Sequence, residues 1–255
     1  MRVLIYSDVH ANGEALEAVE AAAGACDTSI CLGDIVGYGA SPNDTSAWVK
    51  AHTPLVIRGN HDRACASLDG VQGFNAVAAA AALWTHQQLS PEHLQWLQAL
   101  PAGPLEWDGC SLVHGSPLDE DEYLLQPVQA AATFAATSSL MHWYGHSHIQ
   151  GGFILADEQI TPLAGAAAAA MPGAPAPRNP QSVLLNLRAD ARYLLNPGSV
   201  GQPRDGDWRA AFAIYDTAAA TVEFRRVPYD VAQTQRRILD AGLPQRLAQR
   251  LALGR

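Results

Sequence analysis

Four short clusters of oxygen- and nitrogen-bearing side chains stand in order along the chain: Asp8-Val9-His10, Gly33-Asp34, Gly59-Asn60-His61-Asp62 and Gly145-His146-Ser147-His148. Each closely follows an apolar run of strand length, namely Val3 to Tyr6, Ile30 to Leu32, Leu55 to Ile57 and Leu140 to Tyr144. His114 stands in the same relation to Ser111 to Val113. In an open α/β sheet, groups beyond the carboxyl ends of successive strands converge on one place. The pattern therefore calls for a fold that delivers these clusters to a common edge. Residues i and i+2 of an extended segment face the same side, which predicts that Asp8 with His10, and His146 with His148, each present two side chains there. Together the clusters offer enough carboxylate, amide and imidazole ligands for two divalent metal ions.

The segments between the clusters support this. A helix from Gly13 to Ala23, with Asn12 as its cap, and a second from Pro42 to Ala51 alternate with the first three strands, so that a sheet with helices packed on it is expected. Ser41 as N-cap, Pro42 in the first turn and Asp44 three residues after the cap predict a well-satisfied start for the second helix. Two further helices, Asn75 to Leu89 and Pro91 to Ala99, read as an α-hairpin beside the site. Beyond Gly145 the pattern changes to short strands: Phe153 to Leu155, Val183 to Leu187, Tyr193 to Leu195, Ala211 to Tyr215 and Val222 to Arg226. These predict a second sheet, antiparallel or mixed. Ala164 to Pro180, rich in Ala, Pro and Gly, reads as an exposed, mobile loop. Val231 to Leu253 reads as a surface helix broken at Gly242-Leu243-Pro244.

Composition removes other classes. With 255 residues, 48% hydrophobic and 16% charged, the chain fits one large α/β domain, residues 1–255. A net charge of −9 argues against binding extended nucleic acid through a basic face. A small anion stays compatible, because two dications reverse the local sign. No run reaches the ~18 apolar residues of a membrane span. Cys26, Cys31, Cys65 and Cys110 show no C-x-x-C spacing, and no signal peptide is seen at the N-terminus, which together predict free thiols and a cytoplasmic location.

The ordered set D-x-H, G-D, G-N-H-D, lone H and G-H-x-H resembles the calcineurin-like metallophosphoesterase superfamily. Leu32 to Gly39 and the segment Asn196-Pro197-Gly198-Ser199-Val200-Gly201-Gln202-Pro203-Arg204-Asp205-Gly206-Asp207 are similar to a bacterial and archaeal branch described as phosphodiesterase-like or diadenosine-tetraphosphatase-related. The resemblance implies a four-layer α/β/β/α sandwich of two mixed sheets. It implies one metal on Asp8, His10, Asp34 and His148, and a second on Asp34, Asn60, His114 and His146, with Asp34 bridging. Two dications about 3.5 to 4 Å apart lower the pKa of a bridging water and grip phosphoryl oxygens. His61 is then the group that protonates the leaving alcohol, with Asp62 orienting its imidazole. The donor set suits Mn²⁺, Fe, Zn²⁺, Ni²⁺ or Co²⁺, and Mn²⁺ is the working choice.

The implied activity is hydrolysis of a phosphoric ester, with a small nucleotide-derived phosphodiester preferred. A phosphomonoesterase, a protein or dinucleoside-polyphosphate phosphatase, and a non-catalytic interaction scaffold stand as alternatives. Arg58 and Arg204 are candidates for bidentate contact with a phosphate oxygen, each against a structural salt bridge. His52, His86, His93 and His142 read as helix-surface or core residues, and Tyr38 as packing. Asp119 to Glu122 reads as a solvated loop. The C-terminal helix and the α-hairpin are the surfaces available for self-association.

Overall fold

Strand β1 (Arg2–Tyr6) shows how the layers are built. Successive side chains on a strand point to opposite faces, and here both faces are covered: Val3 and Ile5 enter one apolar cluster, Leu4 and Tyr6 another. A strand buried on both sides needs an unbroken apolar run. Val3-Leu4-Ile5-Tyr6 is that run.

In the computed structural model, which describes residues 1–166 and 181–255, β1 is central to a six-stranded sheet. Strands β2 (Thr28–Cys31) and β3 (Leu55–Val56) extend it in parallel through α1 (Gly13–Ala23) and α2 (Pro42–His52), the expected βαβα unit. Helix α3 (Asn60–Ser67) follows, then α4 (Ala76–Gln88) and α5 (Pro91–Gln98). The second sheet opens with β4 (Leu105–Trp107) and β5 (Cys110–Leu112). After α6 (Pro127–Ala136) it takes β6 (Met141–Trp143), β7 (Gly151–Ala156) and β8 (Gln159–Ala164). The chain then runs through β9 (Gln181–Asn186), β10 (Arg192–Asn196), β11 (Ala210–Asp216) and β12 (Thr221–Val227) to α7 (Val231–Asp240) and α8 (Gln245–Leu251).

The sheet orders are β3-β2-β1-β11-β12-β9 and β4-β5-β6-β10-β7-β8. Each is mixed, with a parallel core of β1-β2-β3 in one and β5-β6-β10 in the other. The two face each other across a cluster that joins Val3, Ile5, Ile30 and Leu32 to Leu112, Trp143, Tyr193 and Leu195. Full burial of each such side chain contributes about 1.5–3 kcal/mol. Leu16, Val19 and Val49 cover the outer face of the first sheet, and Ala130 and Phe134 cover that of the second. This is the four-layer α/β/β/α sandwich.

Several expectations are corrected. The late strands do not make a sheet of their own: β9, β11 and β12 join the first sheet, where β11 pairs antiparallel with β1 through Ile5↔Ala213. Ser41 is the N-cap residue of α2 but makes no side-chain cap; its Oγ lies 3.4 Å from Arg237 Nη1. Asn12 does cap α1, accepting from the Ala15 amide at 3.1 Å. Helices α4 and α5 pack on α3 and α2 more than on each other. His86 Nδ1 and Gln98 Nε2 each reach 2.8 Å from carbonyl oxygens near the end of α3, at Cys65 and Ala66. The break between α7 and α8 falls where Gly242-Leu243-Pro244 predicts it. Of the Ala/Pro-rich stretch 164–180, residues 167–180 lie outside the described residues; Ala166 is buried between the sheets.

Candidate metal centre

The parallel strands of both sheets end at one edge, and the clusters meet there. Asp8 and His10 follow β1, Asp34 follows β2, and Asn60 opens α3 after β3. From the second sheet, His114 follows β5, and His146 and His148 follow β6. The loops interlock: the amides of Asp8 and His10 donate to the Gly33 and Asp34 carbonyls at 2.9 Å, and that of Gly145 to the His114 carbonyl at 2.8 Å. The segment after β10 closes the ring, with the Val200 and Gly201 amides on the Ser7 and Asp8 carbonyls.

The paired ligands do not lie on extended backbone, as i/i+2 reasoning expected. Asp8, His10, Asp34, His146 and His148 all have positive φ, between 49° and 62°. The chain turns sharply as it leaves each strand, and the interlocking hydrogen bonds hold conformations that cost roughly 1–3 kcal/mol apiece. The cluster glycines answer to close approach. A Cβ on Gly59 would run into the Asp34 carboxylate, and one on Gly145 into Ser7 and Asp8.

All seven expected ligands are buried. Asp8, His10, Asp34 and His148 form one group and Asp34, His114 and His146 another, and within each the ligand atoms lie within 4.8 Å of one another. Ligands about 2.1 Å from a common ion are separated by no more than about 4.2 Å, so both groups need little contraction. Asn60 stands beside the second, with Oδ1 3.2 Å from His114 Nε2.

Hydrogen bonding fixes which atoms are free. One nitrogen of each imidazole faces a backbone carbonyl: His10 Nδ1 on Val36 at 3.1 Å, His114 Nδ1 on Leu32 at 2.7 Å, His146 Nε2 on Asp121 at 3.0 Å and His148 Nδ1 on Gln202 at 2.6 Å. A carbonyl only accepts, so that nitrogen carries the proton and the other offers a lone pair. Burial lowers His10 and His148 well below the imidazole range and His146 to about 3, keeping them neutral. Their consequence is plain at His10 and His148, whose Nε2 atoms face each other at 3.2 Å. Two lone pairs that close repel unless a cation lies between them.

The carboxylates are prepared in the same way. Asp34 Oδ1 accepts from the His61 amide at 2.8 Å, and Asp8 Oδ1 from the His146 amide at 3.2 Å. Oδ2 of each is buried without a hydrogen-bond partner. Asp34 Oδ2 lies 3.6 Å from His10 Nε2 and 3.3 Å from His114 Nε2, between the two groups, where a bridging ligand would sit. Burial alone would lower His114, yet the Asp34 charge raises it to about 10. A proton on His114 there does what a dication does better. The orphan oxygens, the facing lone pairs and the mixed N/O donors all fit two divalent ions.

A family model described as the calcineurin-like phosphoesterase superfamily domain matches residues 1–220. The chain belongs to the calcineurin-like phosphoesterase superfamily. An uncharacterized protein of Methanocaldococcus jannaschii is 32% identical to it over 266 residues, spanning 99% of this chain and 98% of its own length. The crystal structure of a metallophosphoesterase from Sphaerobacter thermophilus superposes with a TM-score of 0.84 at 38% identity, covering 100% of this chain and 99% of that one. That of a hypothetical protein from Pyrococcus horikoshii OT3 has a TM-score of 0.73 at 20% identity, with 100% and 98% coverage, and shares the fold. In this member of the superfamily the clusters therefore form a dinuclear metal-binding site of a metal-dependent hydrolase.

Around the ligands, the structure redistributes the expected roles. His61 is 4% exposed, with its ring against Tyr38, Phe74 and His10 at centroid distances of 4.3, 4.6 and 4.9 Å, and its Nδ1 has no partner. Asp62 does not orient it. The Asp62 carboxylate instead accepts from the amides of Gly59 at 2.9 Å, Ile35 at 2.8 Å and Val36 at 3.2 Å. Arg58 is held by Glu120 at 3.1 Å, as a structural ion pair. Arg204 stands over Tyr38, 6.0 Å from the ring centroid, and bonds Gln202 Oε1 at 3.0 Å. The acidic run is a loop with Asp119 and Asp121 exposed, but it is braced: Glu120 pairs with Arg58 and Arg63, Asp121 pairs with Arg63 and its carbonyl accepts from His146, and Glu122 accepts from Ser116 at 2.6 Å. Tyr123, which sequence reasoning passed over, lays its ring 4.0 Å from that of His146. Its only signal was its place beside the acidic run.

Proposed function

We propose that the protein hydrolyses small, nucleotide-derived phosphodiesters with two divalent ions, Mn²⁺ being the working choice. The observation that carries this reading is the pair of ligand groups sharing Asp34, with one nitrogen of each imidazole committed to a backbone carbonyl and the other free. Asp8, His10, Asp34 and His148 hold one ion; Asp34, Asn60, His114 and His146 hold the other. When bound, the ions polarise the phosphoryl oxygens and lower the pKa of a water for in-line attack.

The remaining steps fall to side chains. His61 gives a proton to the departing alcohol. Burial lowers its imidazole to about 4, so it is neutral in the free site, and an arriving anionic phosphate raises it toward the protonated form. Arg204 contacts a phosphate oxygen. Arg58, engaged with Glu120, braces the acidic run instead. The reading takes residues 1–255 as one metallophosphoesterase domain in the cytoplasm, in keeping with four free cysteines, three of them buried. Among the described residues no helix is long and apolar enough to cross a membrane.

The test compares rates on bis-p-nitrophenyl phosphate and p-nitrophenyl phosphate after Mn²⁺ reconstitution. The diester is expected to be the better substrate, and His61→Ala to lower kcat by about 10²–10⁴-fold with metal content unchanged. A strong monoester preference overturns the diesterase reading; no metal-dependent turnover on either overturns the hydrolase itself.

A further inference from the structure

A cavity of about 780 Å³ opens beside the dinuclear centre. Tyr38, Tyr123 and Arg204 form its wall toward the centre, and Arg246, Arg250 and Arg255 face them from the C-terminal segment. The two tyrosines are shared walls. Tyr38 packs its ring 4.7 Å from that of His10, and Tyr123 packs 4.0 Å from that of His146. A ligand in the cavity is thus one ring away from both ligand groups.

The charge of the cavity opposes that of the chain. The protein carries a net charge of −9, yet four arginines line this space and no Asp or Glu side chain does. Among the described residues, Arg204, Arg246 and Arg250 form no salt bridge with a carboxylate side chain. Arg204 Nε is buried without a partner, and Arg250 Nε donates to the main-chain oxygen of Arg255. Burial lowers the pKa of Arg250, and the neighbouring charges of Arg204 and Arg246 lower it further. Like charges gathered in one space cost stability, and a bound anion relieves them. Nor are the arginines on a loose tail: Leu243, Leu247 and Leu251 anchor α8 on Tyr38, Ala78 and Ala81. Guanidinium forks pair bidentately with phosphate oxygens. The volume lies in the range that holds a whole small-molecule ligand, well beyond one phosphoryl group.

We propose that this cavity is a subsite for additional phosphate groups, so that the substrate is a phosphoester bearing at least one anionic phosphate besides the one that is hydrolysed. The proposal rests on the reading of the dinuclear centre as the hydrolytic site. Residues 221–255, beyond the family match, supply three of the four arginines of the subsite.

Inorganic tripolyphosphate is the probe. Calorimetry on the chelator-treated protein reads the subsite without turnover. Tripolyphosphate is expected to bind in a salt-sensitive manner and more tightly than orthophosphate. Arg246→Gln with Arg250→Gln is expected to weaken it about tenfold or more, since each substitution removes charge-assisted hydrogen bonds to phosphate oxygens. Arg246→Glu alone, at an exposed position, carries the same test if the double variant folds poorly. With the Mn²⁺ enzyme, tripolyphosphate is expected to compete with bis-p-nitrophenyl phosphate. No binding, or binding unchanged in the variants, overturns the subsite. Noncompetitive inhibition or activation overturns its assignment to the substrate and points to a separate effector. An inactive enzyme that still binds tripolyphosphate through these arginines overturns the hydrolytic reading and with it the substrate assignment, leaving the anion site standing.

Discussion

Asp62 ties two ligand loops together through a single carboxylate. Its three bonds, to the amides of Gly59, Ile35 and Val36, hold the entrance of α3 against the loop that carries Asp34. Asn at this position offers one oxygen and turns an NH₂ donor toward amides that also donate. Asp62→Asn is therefore expected to destabilise the metal-free protein by about 2–4 kcal/mol, which lowers Tm by on the order of 10 °C. Calorimetric melting in chelator measures this. An unchanged Tm with reduced kcat would return Asp62 to the role of orienting His61. Residue types and spacing were enough to read the ligands, because each cluster is local and donor chemistry is intrinsic to the side chain. The partners were not readable. The acceptors that fix the imidazoles, and the Ile35 and Val36 amides on Asp62, come from segments distant in sequence, and Arg58 meets Glu120 across 62 positions.

At the scale of elements, the contact of β6 with α6 has a titratable joint. His142 Nε2 lies 2.8 Å from Thr137 Oγ1, and its Nδ1 is buried without a partner. Burial, with Arg192 beside it, pushes the imidazole down to about 4. An unfolded imidazole titrates near 6.5. Between those values the unfolded chain binds more protons than the folded one, so stability falls as pH drops through that window and is unaffected by this group above it. His142→Gln is expected to reduce the loss of stability between pH 7.5 and 4.5. Urea midpoints for both proteins in chelator measure it, and an equal loss in the two sinks the assignment. Strands and helices were legible from periodicity, but sheet membership was not. An alternating or apolar run states which faces it buries without stating its neighbour: β11 pairs antiparallel with β1 and β12 with β11, which extends the first sheet. Helix α6 and strand β4 went unread, since Pro127–Ala136 is largely alanine and Leu105–Trp107 has three residues.

On the scale of the whole molecule, two parallel strand cores from different sheets end at one edge, and that convergence buries two carboxylates and four imidazoles with their free atoms turned inward. The fold holds this arrangement against repulsion. The Nε2 atoms of His10 and His148 face each other at 3.2 Å, and Asp8, raised to about 7, owes that first to burial and in part to the charge of Asp34. Ions that bind the folded chain alone remove these costs and stabilise by mass action, by about 4 kcal/mol per site at a thousandfold excess over Kd. Chelation is therefore expected to lower Tm by at least about 10 °C, given about 2–4 °C per kcal/mol in a chain of this size. Asp34→Asn is expected to shrink the Mn²⁺-dependent shift more than Asn60→Ala does, because Asp34 belongs to both ligand groups and Asn60 stands beside one. Thermal melts of the three proteins with and without Mn²⁺ decide it. A wild-type Tm indifferent to metal would mean that protons satisfy the centre, and equal shrinkage in the two variants would mean that Asp34 does not bridge.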